Sequence, residues 1–194
     1  MTLVPVYFPP ISFFKSIVNQ KRILICDNTN YQKQTYRNRC IINMSGGRQN
    51  LVVPIKRSSL NKSYENTIIY NKVNWQKNHW RSIKTAYKSS PFFEYYQDDL
   101  SFIFFKKQKF LFNLNYDILI KFLDLLELSI EIQKINHIND FQKLNEVLNP
   151  KKKIKKFKSY TQVFQDRNKF QSDLSILDLL FNLGPESSDY LRSL

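Results

Sequence analysis

Three glycines occur in 194 residues, Gly46, Gly47 and Gly184. That scarcity excludes a collagen-like repeat and a glycine-rich linker. It also excludes the glycine-rich loops in which backbone N–H groups wrap a phosphate. Two histidines and two cysteines, the latter without a CxxC spacing, are too few for a His- or Cys-rich metal cage. Cys26 and Cys40 each sit in an apolar run, which fits buried free thiols in a reducing compartment. No basic segment followed by a long apolar stretch opens the chain, and Pro5, Pro9 and Pro10 would break one. No signal peptide is therefore expected. The most apolar helical stretch, Tyr116–Leu128, is interrupted by Lys121 and Asp124 and is too short to span a bilayer. The expectation is a cytoplasmic chain with no membrane span. No GxGxxG, P-loop, HExxH or GxSxG pattern is present, so no cofactor is expected and no reaction is named by a motif.

Acidic residues are also few, 16 against 30 Lys and Arg, which gives a formal net charge of +14. Such a balance points to an anionic partner: a nucleic acid, a membrane surface or a phosphorylated small molecule. A second reading stays open beside it. Lys, Asn, Ile, Phe and Tyr are enriched together, as AT-rich coding DNA enriches them at permissive surface positions. The segment Asn149–Lys158 carries six of the lysines and reads as a basic, flexible connection.

What is abundant is apolar and aromatic: 42% hydrophobic and 15% aromatic residues, enough for a core in one domain over 1–194. Val4–Phe8 reads as a strand ending in Pro9-Pro10, and Ile11, Phe14 and Val18 recur at helical spacing. Ile23–Cys26 is a continuous apolar run, as in a parallel strand covered on both faces. Strand, helix, strand in this space is a βαβ unit. Cys40–Met44 and Gln49–Ile55 flank Ser45-Gly46-Gly47-Arg48, a hairpin signal, and Thr67–Tyr70 is a candidate further strand. Trp75–Lys88 reads as a helix with Trp80, Ile83 and Tyr87 on one face and Lys77, Arg81, Lys84 and Lys88 on another. Phe92–Phe105 is partly helical. Asn115 or Asp117 is the expected cap of a helix through Leu128, and Ser129–Ile135 a strand. Ser172 or Asp173 is the expected cap of a helix over Leu174–Asn182, stopped by Gly184-Pro185. The fold class expected is α/β: an open, mixed, largely parallel sheet with helices on its faces and an inserted β-hairpin.

Tyr31-Gln32-Lys33-Gln34-Thr35-Tyr36-Arg37-Asn38-Arg39 is the most polar concentration, and it follows a buried strand. Ligand sites of open α/β sheets lie beyond the carboxyl ends of strands. Arg37 and Arg39 alternate, so an extended backbone would aim both the same way. His79 shares a side with Ile83 and Ala86, which suits either a hydrogen-bonded core histidine or a proton-transfer group. The basic stripe of the Trp75–Lys88 helix suits either a solvated face or a phosphate clamp.

In order along the chain, Pro5-Val6-Tyr7-Phe8-Pro9, Tyr31-Gln32-Lys33-Gln34, Asn38-Arg39 and Leu51-Val52-Val53-Pro54-Ile55 resemble blocks of the WbqC-like family. So do Trp75, His79, Trp80, Arg81, Ile83, Tyr87, Pro91-Phe92 and the closing run Leu174–Pro185. Val4 and Pro10 depart from the Gln and Trp that many family members carry there. The resemblance implies bacterial surface-polysaccharide (O-antigen) synthesis. It implies a transferase that moves an aminoacyl, glycyl or acyl group to a nucleotide-linked amino sugar, with no settled family mechanism. A basic nucleic-acid-binding protein and a non-catalytic interaction module remain the alternatives. The expected site joins Tyr7, Tyr31, Asn38 and Arg39 to the N-terminus of the helix after Pro9-Pro10, whose free N–H groups would favour an anion. Arg81 and Asp178 are further candidate binding residues, Asp178 by pairing with Arg37 or Arg39. His79 is the candidate for proton transfer.

Overall fold

The computed structural model describes residues 1–59, 63–135 and 156–194. Its centre is a three-stranded parallel sheet in the order β1–β2–β5, formed by Thr2–Leu3 (β1), Arg22–Cys26 (β2) and Glu131–Ile135 (β5). Ile23, Ile25 and Cys26 of β2 are buried, in keeping with an apolar strand between neighbours. The first βαβ unit is present, with α1 (Ile11–Ile17) as its crossover. Its first strand is displaced from the expected position. Thr2 and Leu3, not Val4–Phe8, pair with Leu24 and Ile25. Pro5 has no N–H to give to a ladder, so pairing stops before it. Val4, Val6, Tyr7 and Phe8 are nonetheless buried, as irregular backbone running into the core.

A second, separate sheet is the antiparallel hairpin β3 (Arg39–Met44) and β4 (Gly47–Val52), closed by Ser45-Gly46. Gly47 takes φ +99°, a conformation that side-chain-bearing residues seldom adopt. The candidate strand Thr67–Tyr70 forms only single bridges, Ile69 to Ile55 and Ile68 to Phe110. Three long helices follow: α2 (Trp75–Tyr87), α3 (Phe93–Phe105) and α4 (Leu111–Leu125). α4 begins one turn before Asn115, so Asn115 is an interior helical residue and not a cap. Asp117 instead accepts from Gln108 Nε2 at 2.7 Å, across the turn that precedes the helix.

After the short helix α5 (Gln165–Asn168), α6 (Ile176–Leu183) and α7 (Ser187–Ser193) close the chain. The cap of α6 is Ser175, whose Oγ accepts from the Leu177 N–H at 3.3 Å, and not Ser172 or Asp173. Side chains from the N-terminal segment, α1, β2, the hairpin and α2, α3, α4 and α6 form one connected apolar cluster. Of the basic connection, residues 149–155 lie outside those described. Lys156 and Lys158 are exposed, and Phe157 packs against the core. No helix among the described residues is long and apolar enough to cross a membrane.

Gly184 ends α6 at φ +53°, and a Cβ placed there would lie 2.5 Å from the Phe92 ring. Leu177, on the buried face of α6, is inaccessible to solvent. Leu177→Ala should cost about 2–5 kcal/mol in urea unfolding, as cavity-forming truncations do. A cost below about 1 kcal/mol would show that α6 is not integral to the core.

Candidate functional site

The mouth of the hairpin, where Arg39 faces Val52, gathers the polar groups. Asn38 extends the ladder by one step in an unusual way: its carbonyl accepts from the Val53 N–H at 2.7 Å, and its side-chain Nδ2 donates to the Val53 carbonyl at 3.0 Å. Its Oδ1 is buried without a partner. Val52 makes a backbone hydrogen bond to His79 of α2. The other ring nitrogen of that histidine, Nδ1, lies 2.9 Å from the Tyr7 hydroxyl. Burial holds the imidazole down at about 4, although the Val52 contact opposes this. The ring is therefore neutral at physiological pH, and Tyr7 is the donor of the pair. Burial, followed by Cys40, raises the Tyr7 phenol well above its ordinary range. Tyr7 and His79 thus form a neutral, buried hydrogen-bonded couple, with Trp75 edge-on to both rings.

The polar segment after β2 lies against the same N-terminal stretch, since the Tyr7 N–H donates to the Tyr36 carbonyl at 2.9 Å. Tyr36 and Arg37 occupy a turn, so the parity argument that aimed Arg37 and Arg39 the same way does not hold. Arg37 is fully buried, and its guanidinium lies over the Tyr64 ring, 5.4 Å from the centroid. Nε, Nη1 and Nη2 of Arg37 have no hydrogen-bond partner, and no described carboxylate pairs with it. Burial lowers its pKa, which nearby Tyr64 and Tyr31 offset in part. Tyr31 is buried beside both arginines. Burial pushes its phenol up to about 12, while Arg39 and then Arg37 pull the other way. Arg39 Nε is also buried and unpartnered.

Asn115 approaches from α4. Its Nδ2 donates to the Arg37 carbonyl at 2.6 Å and to the Tyr64 hydroxyl, leaving Oδ1 buried and unpaired. The Tyr64 hydroxyl donates to the Pro5 carbonyl at 2.7 Å, and the Tyr64 N–H to the Thr29 carbonyl. Tyr31, Arg37 and Arg39 therefore share one neighbourhood with Tyr64 and Asn115, and Asn38 sits between the arginines in sequence. Arg37 was expected only as one of two alternating arginines of the polar segment and as a partner for Asp178, and Tyr64 and Asn115 were not among the expected site residues. A polar residue at a buried position of an apolar helix, as Asn115 is in α4, is the signal that could have marked the last of them.

Three expectations are corrected. The N-terminus of α1 is already satisfied: Ile11 N–H donates to the Leu174 carbonyl, Ser12 N–H to Asp173 Oδ1 at 2.8 Å, and Phe13 N–H to the Pro10 carbonyl. An internal carboxylate thus takes the place foreseen for an anionic ligand. Asp178 is buried as expected of a core polar residue but pairs with no arginine. It accepts from Tyr160 at 2.5 Å and from Gln162 Nε2 at 2.7 Å. Arg81 is on the exposed face of α2 with Lys77, Lys84 and Lys88, opposite the buried His79.

The model of the WbqC-like protein family matches residues 5–162. The chain belongs to the WbqC-like family. The matched span contains the Tyr7–His79 couple and the Arg37 cluster, while the closing run Leu174–Pro185 lies beyond it. The WbqC-like chain is also similar to the uncharacterized protein Rv1507c of Mycobacterium tuberculosis. The two are 25% identical over 218 aligned positions, covering 96% of this chain and 94% of that one. No solved structure matches this WbqC-like protein.

His79 and Asp178 make opposite pH contributions to stability. In the unfolded chain His79 titrates near 6.5, so its contribution is complete above that pH and is lost as pH falls toward about 4. Asp178 is raised to about 6 from 3.8, first by burial, against its hydrogen bonds from Tyr160 and Gln162. Its contribution is complete below 3.8 and is lost as pH rises through about 6. Displacements of about two pH units are each worth roughly 3 kcal/mol, so the two offset one another across this window. Urea titrations at several pH values should therefore separate them. Asp178→Asn should gain stability between pH 4 and 6.5 relative to the parent's profile, and His79→Gln should lose it. Profiles parallel to the parent's would mean that neither group titrates in this range.

Proposed function

We propose that this WbqC-like protein is a transferase of bacterial surface-polysaccharide assembly that passes an aminoacyl, glycyl or acyl group to a nucleotide-linked amino sugar. The observation that carries the reading is the pair of arginines at the hairpin mouth. Arg37 and Arg39 present buried guanidinium nitrogens with no partner beside Tyr31. Buried cations of this kind call for an anion, and a nucleotide-linked sugar supplies one. Family membership supports the same class of substrate. In this proposal Arg39 holds the anionic part, Asn38 offers its free Oδ1 to a hydroxyl or N–H of the ligand, and Tyr31 walls the sugar or base. Tyr7 and Val52 hold His79 in one orientation with both ring nitrogens engaged, so the couple shapes the wall of the site, and His79 takes up a proton only if the Tyr7 contact to Nδ1 is released. Arg81 and Asp178 stand outside this arrangement. The shared apolar cluster supports a single domain, which we propose works in the cytoplasm.

The exposed row Lys77, Arg81, Lys84 and Lys88 supports a second reading, non-specific binding of a polyanion such as RNA. A thermal-shift screen with nucleotide-sugars, acyl donors and RNA separates the two. A native-state ligand at 100 times its Kd stabilises by about 2.7 kcal/mol. Nucleotide-sugars should raise Tm saturably, and Arg39→Ala should abolish that rise while still melting cooperatively. A rise with RNA alone, falling steeply with salt, would replace the transferase reading with the polyanion one.

A further inference from the structure

The cluster behind Tyr31 holds more than positive charge. Among the buried polar atoms without partners are the guanidinium donors of Arg37 together with acceptors: Asn115 Oδ1, Asn38 Oδ1 and the Thr29 hydroxyl oxygen. The amide orientations are fixed by their other ends, because Asn115 Nδ2 donates to the Arg37 carbonyl and Asn38 Nδ2 to the Val53 carbonyl. The unpaired atoms are therefore true carbonyl oxygens. Arg37, Tyr64 and Asn115 are fully buried, and Tyr31 and Asn38 are nearly so.

These facts restrict an occupant. It must be anionic, because a guanidinium stays charged and nothing in the described chain compensates it. It must also donate a hydrogen bond, or the carbonyl oxygens stay unsatisfied in a dry site. A carboxylate or a sulfate only accepts. A phosphomonoester has a second ionisation near neutrality, so it carries both P–O⁻ and P–OH oxygens. The depth of the cluster favours the end of a ligand over its middle, since a bridging diphosphate needs an exit on two sides.

We infer that Arg37, Tyr64 and Asn115 form a subsite for a terminal phosphoryl group, in which the Arg37 fork takes the anionic oxygens and Asn115 Oδ1 accepts from the P–OH. The Tyr64 ring lies under the guanidinium, 5.4 Å from its centroid, and Tyr31 is beside both arginines. The subsite rests on the anionic-substrate reading above but makes a narrower demand. The ligand or product that reaches it ends in a phosphomonoester, such as a sugar 1-phosphate or a nucleoside monophosphate.

The test is isothermal titration calorimetry and thermal shift on the full chain with inorganic phosphate, sulfate and acetate at equal ionic strength. Phosphate should bind saturably, with sulfate about tenfold weaker or more, because it leaves an acceptor unpaired. Arg37→Met should abolish phosphate binding, and its ligand-free Tm should equal or exceed the parent's, since an uncompensated buried charge is removed. Arg37→Lys should keep the charge and lose at least about tenfold in affinity with the fork. Absence of saturable phosphate binding to the parent would overturn the subsite, whatever the variants do. So would equal affinity for sulfate and phosphate. Phosphate binding without any effect of nucleotide-sugars would leave the subsite standing and remove the transferase reading. Nucleoside monophosphate or sugar 1-phosphate binding that is unchanged in Arg37→Met would remove the subsite and leave the transferase reading standing.

Discussion

Ser175 is the contact on which the rest of the fold depends. Its N–H donates to the Ile41 carbonyl of β3, and its Oγ donates to the Phe8 carbonyl at 3.0 Å while capping α6. On either side, Ile11 N–H reaches the Leu174 carbonyl and Ile176 N–H the Pro9 carbonyl. Segments more than 160 residues apart in the chain are thus stitched to each other and to the hairpin. Each of these groups is buried, so losing one partner would leave the other unsatisfied in a dry environment. The crossing binds the parallel sheet, through the segment after β1, to the second sheet, with which it shares no strand pairing.

The crossing also explains an uncommon backbone conformation. Phe8 has φ +38° and is fully buried. A bulky residue there costs on the order of 1–3 kcal/mol and persists only where its surroundings over-determine it. Here the neighbouring Phe8 and Pro9 carbonyls are both held by the α6 cap region. The consequence is a fork. Tyr7 points to Trp75 and His79 of α2, whereas Phe8 packs on Phe104 of α3 and Phe122 of α4. In a regular strand successive side chains alternate between two faces of a sheet. This turn instead divides them between separate helices, and the Tyr7–His79 couple is its product.

Much of this architecture is legible in sequence, and the failures have physical causes. The βαβ unit, the hairpin, the three long helices and β5 follow from apolar periodicity and turn residues. Val4–Phe8 is misread as a strand because its apolar character reflects burial alone, and Pro5 and Pro9 withhold the donors a ladder needs. The caps are misplaced because Asn115 and Asp173 have the right chemistry for caps but spend it elsewhere, one on Arg37 and Tyr64, the other on Ser12. Asp178 could not be matched to its partners from sequence, since Tyr160 and Gln162 arrive from a segment without periodicity. The concentration of polar residues at Tyr31–Arg39 contains the buried, unpartnered guanidinium of Arg37. Which arginine it buries depends on a turn at Tyr36–Arg37, and no spacing rule carries through a turn.

That turn is held at every exit. The Tyr36 carbonyl accepts from Tyr7 N–H, the Arg37 carbonyl from Asn115 and the Asn38 carbonyl from Val53 N–H. The N–H of Arg37 is directed at Thr35 Oγ1. With the backbone fixed on both sides, Arg37 cannot escape to solvent by a local hinge. A long cationic side chain normally snorkels when burial is unfavourable. Here three neighbours prevent it: Tyr7 of the N-terminal segment, Asn115 of α4 and Val53 just after β4. A fold selected only for stability would replace such a cation with a well-packed apolar residue at little or no cost. The proposed phosphoryl ligand would supply the partner that the guanidinium over Tyr64 lacks among the described residues.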